Sequence, residues 1–427
     1  LKYFCVIRVI MTTKIALIGN VDSGKSTLVS VLVNGNLDDG KGTARQAVFV
    51  HPHEKKTGRT SAISMKFGDF HNHTVCFIDL CGHEKYLKTT LFGLNLVNPD
   101  CCFLMVGGNM GVSRMTLQHF MTVAALGFKV VVLITKVDIC PDHILKETVE
   151  QVRAMAKKAS RKSLEIHDTL PQETFLPLSN TIVPYLKVSN VSGVGIDYLR
   201  KLLSKIPPTL VPVALPASGE KSLESPKGPK SPKSPVEFLI DNVYQVKGVG
   251  VVISGFVQDG CVETNGTFLL CLPHQNKKVE VQVKSIRDVY DKPCDVLSRG
   301  QHGTILIKDR LKSIKKTDIR RGNVMVSAGR GRLFREFIAL IYIFHHQTTL
   351  RQKTGKRAGY QCIINCNGIR QSAEFLETNK KDGYLRSQDR CRAKFRFLYH
   401  EEYMKRGSLF SFREGSTIGV GKVIQTI

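Results

Sequence analysis

Tryptophan is absent from the 427 residues and acidic side chains are scarce: 36 Asp and Glu face 62 Lys and Arg, a formal charge of +26. So few anions exclude an ordinary near-neutral surface and point to polyanionic partners, of which nucleic acid is the commonest. The plainer alternative is a set of solvated lysine faces. No apolar run approaches the roughly 18 residues of a membrane span, so no membrane partner is expected. The 12 cysteines form no CxxC pair and no repeated spacing. That excludes a disulfide scaffold and a zinc ribbon, and fits free thiols in a reducing, cytoplasmic compartment. Lys2 and Arg8 bracket only five apolar residues, too few for a secretory signal. Met11, directly before the first strand pattern, suggests that residues 1–10 precede the natural start.

What is present divides the chain. From Lys14 to about Ile206, the buried-strand runs "KIALIG", "VCFIDL", "CCFLMVG" and "VVVLIT" alternate with helical patterns such as "DHILKETVEQVRAMAKKAS". Alternation of this kind predicts an α/β domain with a mostly parallel, doubly wound sheet. "LPASGEKSLESPKGPKSPKSP", 215–235, holds repeated Ser-Pro-Lys and nothing that fills a core, so it reads as a tether. Beyond it come short strands joined by Gly, Asn and Asp, then a second all-β run, numerous enough for two β-barrel domains. The expected division is an N-terminal extension (1–13), a nucleotide-binding domain (14–207), a linker (208–236) and barrels at 237–330 and 331–427. "KGVGVVISG" contains a GxGxxG-like spacing, but no helical pattern follows, and a glycine-bent hairpin is the reading adopted.

"GNVDSGKST", Gly19, Asn20, Val21, Asp22, Ser23, Gly24, Lys25, Ser26 and Thr27, satisfies GxxxxGK[ST] between a strand and a helix. Glycines allow backbone N–H groups to curl round a phosphate, and the helix N-terminus adds a favourable dipole. Lys25 is expected to reach the β- and γ-phosphates and the Ser26 hydroxyl to ligate Mg²⁺. "TKVD" at 135–138 decides the base. An Asp138 carboxylate accepts from both N1–H and N2–H₂ of guanine, a pair adenine lacks, while Lys136 stacks along the base plane; Thr135 stands where Asn is more usual. In "FIDLCGHEKY", Asp79 is expected to hold a water on Mg²⁺ and the Gly82 N–H to bond the γ-phosphate. His83 then stands where it orients the attacking water.

With these motifs in hand, the chain resembles a translational GTPase of the elongation factor Tu type, in its GTP-binding protein 1 branch. The resemblance rests on "GNVDSGKST", "GNLDDGKGTARQ", "HPHEKKTGRTS", "FIDLCGHEKYLKTTLFG", "DCCFLMVGGNMGV" and "TKVDICP", and continues in "YQVKGVGVVISGFVQDG" and "FREGSTIGVGKV". It implies GTP and GDP as ligands with Mg²⁺, Thr60 as the switch threonine over metal and γ-phosphate, and Ser189, Asn190 and Val191 as the loop beside guanine. Val21 becomes one wing of an apolar gate before the catalytic His83. The implied function is GTP hydrolysis controlling aminoacyl-tRNA or a related RNA at the ribosome, by a monomer that can use a nucleotide exchange factor. Asn20 and Ser23 stand where elongation factor Tu has histidines, Cys81 replaces a proline or alanine, and Arg59 replaces an apolar gate residue. The rival reading is a GTP-dependent RNA- or protein-binding switch in RNA turnover or ribosome surveillance; a regulator of a metabolic enzyme is a third.

His51, His53, His71 and His73 lack companions at ligand spacing, so no zinc is expected. Residues 331–427 carry about ten more basic than acidic side chains, marking the last barrel as an RNA face. In "RAKFRFLYH", Phe395 and Phe397 should face the core and Lys394 and Arg396 the outside. Arg351, Lys353, Lys356 and Arg357 form a basic loop that is either a solvated turn or an RNA contact.

Overall fold

Strand β1 (Thr12–Gly19) runs parallel to two neighbours, and every one of its residues is buried. Its alternation explains why residues 15–18 are all apolar: Ile15 and Leu17 face one hydrophobic layer, Ala16 and Ile18 the other. The computed structural model describes residues 12–47, 64–70, 73–82, 94, 99–166, 179–206, 235–309, 314–329, 331–345, 350–351, 359–387, 389–415 and 417–427.

After β1 come helix α1 (Lys25–Asn34), β2 (Ser64–Phe70), β3 (His73–Asp79), β4 (Cys101–Gly107), α2 (Arg114–Ala125), β5 (Val130–Thr135), α3 (Asp142–Lys158), β6 (Lys162–Glu165), β7 (Ile182–Lys187) and α4 (Ile196–Lys205). The sheet order is β2-β3-β1-β4-β5-β7-β6, with β2 alone antiparallel to its neighbour. The chain crosses from one side of β1 to the other between β3 and β4, which makes the carboxyl end of β1 the switch point where such sheets bind ligands. Leu28, Val29 and Leu32 of α1 and Leu199, Leu202 and Leu203 of α4 cover one face; Phe120, Val123, Val152 and Met155 of α2 and α3 cover the other. Ser113 caps α2 by accepting from Thr116 N–H at 3.1 Å. Asp142 in the first turn of α3 and Lys157 and Lys158 in its last complement the helix dipole.

Two closed six-stranded barrels follow. The first runs, in ring order, Thr267–Leu272, Val324–Val326, Glu237–Val246, Gly250–Asp259, His302–Asp309 and Lys277–Arg287, which pairs back to Thr267–Leu272. Phe238, Ile253, Leu270, Val283, Ile305 and Met325 fill it. Glu237–Val246 and Gly250–Asp259 form the glycine-bent hairpin of the GxGxxG-like stretch. The second runs Glu336–His345, Arg390–Phe397, Ile369–Thr378, Gln361–Cys366, Leu409–Glu414 and Thr417–Thr426. Six phenylalanines, Phe337, Phe375, Phe395, Phe397, Phe410 and Phe412, fill its centre, with ring centroids 5.3–6.3 Å apart. A β-carbon on Gly419 would lie 2.1 Å from the Phe412 ring and one on Gly421 2.5 Å from the Phe410 ring, so both strand positions must be glycine to admit the aromatics. No helix among the described residues is long and apolar enough to cross a membrane.

The barrels meet each other and the α/β domain through an ion pair and a shared apolar cluster. Lys405 Nζ lies 2.7 Å from Glu237 Oε2 across the barrel junction. Leu239, Phe256 and Val324 of the first barrel and Val420 of the second join the same apolar cluster as Cys76 and Ile78 of β3.

Candidate nucleotide-binding site

The loop 19–24 turns tightly because three of its residues take positive φ: Gly19 (143°), Asp22 (58°) and Gly24 (84°). A β-carbon on Gly19 would sit 2.4 Å from the Met105 carbonyl of β4. Side chains brace the turn from within. Val21 N–H donates to Asn20 Oδ1 at 2.8 Å, and Ser23 Oγ donates to the Asn20 carbonyl at 2.8 Å. Asp22 is exposed, Val21 half-buried, and Thr27 half-buried on α1.

Lys25 is buried, its ammonium donating to the Gly19 carbonyl at 3.1 Å and the Asn20 carbonyl at 2.7 Å. Burial pulls its pKa below the ordinary lysine value, against the opposing charge of Asp79. A desolvated cation held by two backbone carbonyls attracts phosphate oxygens more strongly than one in water. Gly82 packs directly upon it: a β-carbon there would meet Lys25 Nζ at 2.5 Å and the Gly19 carbonyl at 2.6 Å. Only glycine brings this backbone so close to the loop.

Ser26 Oγ donates to Asp79 Oδ2 at 2.5 Å, and Asp79 is 1 % exposed at the end of β3. One hydroxyl and one carboxylate at a phosphate loop form the hard oxygen set that Mg²⁺ takes beside phosphate and water. Among the described residues no cluster of three His, Cys, Asp or Glu gathers around a metal position.

Thr135 does something the sequence did not disclose. Its hydroxyl, buried, donates to the Ser23 carbonyl at 2.9 Å, tying the end of β5 to the phosphate loop. Lys136 has φ of 60°, and the exposed Asp138 follows two residues on. Ser189 is fully buried, and its Oγ accepts from the N–H groups of Val191 at 3.2 Å and Ser192 at 3.0 Å, shaping the loop. Asn190 Nδ2 approaches the Gly24 carbonyl at 3.5 Å, while Asn190 Oδ1 is buried with no hydrogen-bond partner among the described residues. Such an orphan acceptor beside the phosphate loop suits a polar ligand. The structure therefore gathers Gly19–Thr27, Asp79, Gly82, Thr135 and Asn190 at the carboxyl ends of β1, β3 and β5. Thr60 and His83 lie outside the described residues, as do Arg59, His51, His53 and His71.

Sequence reasoning missed His119. It is 2 % exposed on α2, and neither ring nitrogen has a hydrogen-bond partner among the described residues. Burial, reinforced by the charge of Lys25, pushes its pKa down to about 3, so the ring is neutral beside the phosphate lysine. Nothing in "TLQHFMTV" announces this, because the environment comes from other elements.

On the last barrel, Phe395 and Phe397 are buried, whereas Lys394 and Arg396 turn outward to Glu336 at 3.0 and 2.6 Å. The outward basic row is therefore half neutralised, and Arg390 and Arg392 are its exposed members. Arg392 and Lys422 flank the half-exposed Leu340 on its two neighbouring strands.

The Elongation factor Tu GTP binding domain family matches residues 11–209. GTP-binding protein 1 of Xenopus laevis is 34 % identical over 98 % of this chain and 64 % of its own length, so the chain spans just under two thirds of that relative. GTP-binding protein 2 of Mus musculus is 32 % identical over 96 % of this chain and 68 % of its own length. The fold is similar to translation elongation factor SelB from Methanococcus maripaludis in complex with the GTP analogue GppNHp, at TM-score 0.69 and 16 % identity over 98 % of this chain and 80 % of that one. This level of identity places the chain in the family of GTP-binding proteins 1 and 2, with an elongation factor Tu-type GTP binding domain over residues 11–209.

Proposed function

We propose that the chain binds GTP with Mg²⁺, hydrolyses it to GDP, and uses the γ-phosphate to govern its hold on an RNA at the ribosome, aminoacyl-tRNA being the first candidate. The observation that carries this reading is Gly82 lying flush on Lys25 and the Gly19 carbonyl. A γ-phosphate drawn to Lys25 must enter between them and engage the Gly82 N–H. Its loss lets that segment relax.

In this reading Lys25 and the amides of 19–24 hold the phosphates, Ser26 and Asp79 hold Mg²⁺, and Thr60 closes over both. Mg²⁺, when bound, supplies charge neutralisation at the β- and γ-phosphates. Asp138 and Lys136 read guanine, supported by the 189–191 loop. His83, next in the chain after Gly82, orients the attacking water, and the basic side chains of the last barrel meet RNA phosphates. Binding to a nucleotide exchange factor and a cytoplasmic setting complete the proposal.

The test is GTP turnover by wild type and His83→Ala, with and without ribosomes and aminoacyl-tRNA. Slow intrinsic turnover, large stimulation by ribosomes and loss of that stimulation in the variant are expected. Ribosomes that leave turnover unchanged would overturn the ribosomal part. Equal affinity for charged and uncharged tRNA would favour the switch in RNA turnover.

A further inference from the structure

The first barrel touches the GTPase domain on its edge pair β2–β3, the two strands that run to the phosphate site. β2 and β3 are in register with Ser64 opposite Asp79 and Phe67 opposite Cys76. Asp79 therefore lies three residues, about 10 Å, along β3 from Cys76. Among the described residues β2, at the sheet edge, has only β3 as a strand neighbour. Helices α1 and α4 also pack against β2, and the barrel adds a contact of its own.

The barrel places His302 there. Its ring centroid is 5.2 Å from that of Phe67 and 4.7 Å from that of Phe256, which the buried Lys14 ammonium of β1 overlies at 5.4 Å. His302 Nε2 lies 2.7 Å from Asp241 Oδ2, and Ser254 Oγ donates to Asp241 Oδ1 at 2.5 Å. The His302 and Asp241 side chains are only 12 % and 10 % exposed, so this network works in low dielectric where its geometry is tightly held. Burial raises the Asp241 carboxyl, but hydrogen bonds from His302 and Ser254 outweigh it and hold the group below the usual aspartate range. A second tie lies at the far end of β2, where Tyr290 Oη donates to Asp69, which also accepts from Thr74 Oγ1 at 2.9 Å.

We propose that His302, oriented by Asp241 and Ser254, is a positioning residue for the GTPase site, setting β2–β3 through Phe67 so that the barrel's attachment and the triphosphate are energetically coupled. The inference rests on the proposed sensing of the γ-phosphate by Asp79 and Gly82. Coupling is reciprocal: if triphosphate strengthens the barrel's hold on β2–β3, that hold strengthens triphosphate binding by the same factor. Diphosphate binding, which does not draw on Gly82, is spared.

The experiment is titration of the full chain with GDP and with a non-hydrolysable GTP analogue, for wild type, His302→Ala, His302→Gln and Phe67→Ala. His302→Gln keeps a hydrogen bond to Asp241 while removing the ring from Phe67, and serves if the alanine variant folds poorly. The expected result is a fall in the ratio of analogue to GDP affinity by about fivefold or more, with GDP affinity within about twofold of wild type. The effects of His302→Ala and Phe67→Ala should not add in the double variant. Proportional weakening of both nucleotides marks a merely structural role and overturns the inference, as does an unchanged ratio. Should wild type itself bind both nucleotides alike, the γ-phosphate reading fails and takes this inference with it. Should wild type discriminate and the variants retain its ratio, this inference alone fails.

Discussion

At the scale of single residues, the site works by putting ordinary groups in unusual surroundings. Lys25 is a lysine stripped of water, and Gly82 is where a missing β-carbon lets backbone touch its ammonium. His119 gives the clearest consequence for pH. In the unfolded chain its imidazole takes a proton near pH 6.5, but in the fold only near 3. Between these values the unfolded state binds more protons, so the native state loses stability as pH falls, by about 2 kcal/mol at pH 5. Urea unfolding at pH 7 and pH 5 should show this loss in wild type and its absence in His119→Leu. At pH 7 the leucine should be neutral or stabilising, since it removes two unpartnered polar atoms. The tight turn of "GNVDSGKST" was legible because glycine spacing is a local signal. His119 was not, because its neutrality depends on a helix packing over a loop some ninety residues away.

At the scale of elements, glycines decide how closely the two barrels approach. Gly368, at φ 97°, follows Asn367 in a two-residue hairpin turn, and Gly322, at φ 89°, lies in the turn ahead of strand Val324–Val326. A β-carbon on either would fall 2.1–2.3 Å from the other's Cα, so the barrels touch backbone to backbone. Gly322→Ala should cost about 1–3 kcal/mol from its left-handed conformation alone. Contact strain should add to this by loosening the junction. Thermal unfolding should fall, with faster limited proteolysis near residue 322; an unchanged melting temperature would refute the close approach. The strands around these turns were legible from alternation and turn residues. Their ring order was not, because cross-barrel pairing joins segments such as Glu336–His345 and Thr417–Thr426 that share no local signal.

At the scale of the whole molecule, charge and domain attachment act together. An excess of 26 positive charges gives long-range attraction to a polyanion, while pairing selects which cations remain available. Glu336 is held below the usual glutamate range: burial raises it, but hydrogen bonds from Lys394 and Arg396 prevail. Those two cations are accordingly engaged, and Arg390 and Arg392 are the better candidates for phosphate contacts. RNA binding should weaken steeply with salt, and Arg390→Ala with Arg392→Ala should lower the slope of log affinity against log salt by about 1.4 to 1.8. Filter binding across a salt series measures this; an unchanged slope would move the RNA face elsewhere.

The amino-acid sequence by itself determined the tight glycine turn of 19–24, the alternation of buried strands with helices and the change to all-β grammar. Each is written in neighbours a few residues apart. Tertiary structure alone decided that Thr135 braces the loop, that Glu336 silences half of a basic row, and that His302 reaches Phe67. These contacts join residues more than fifty positions apart, where burial and pairing, rather than periodicity, choose the partner.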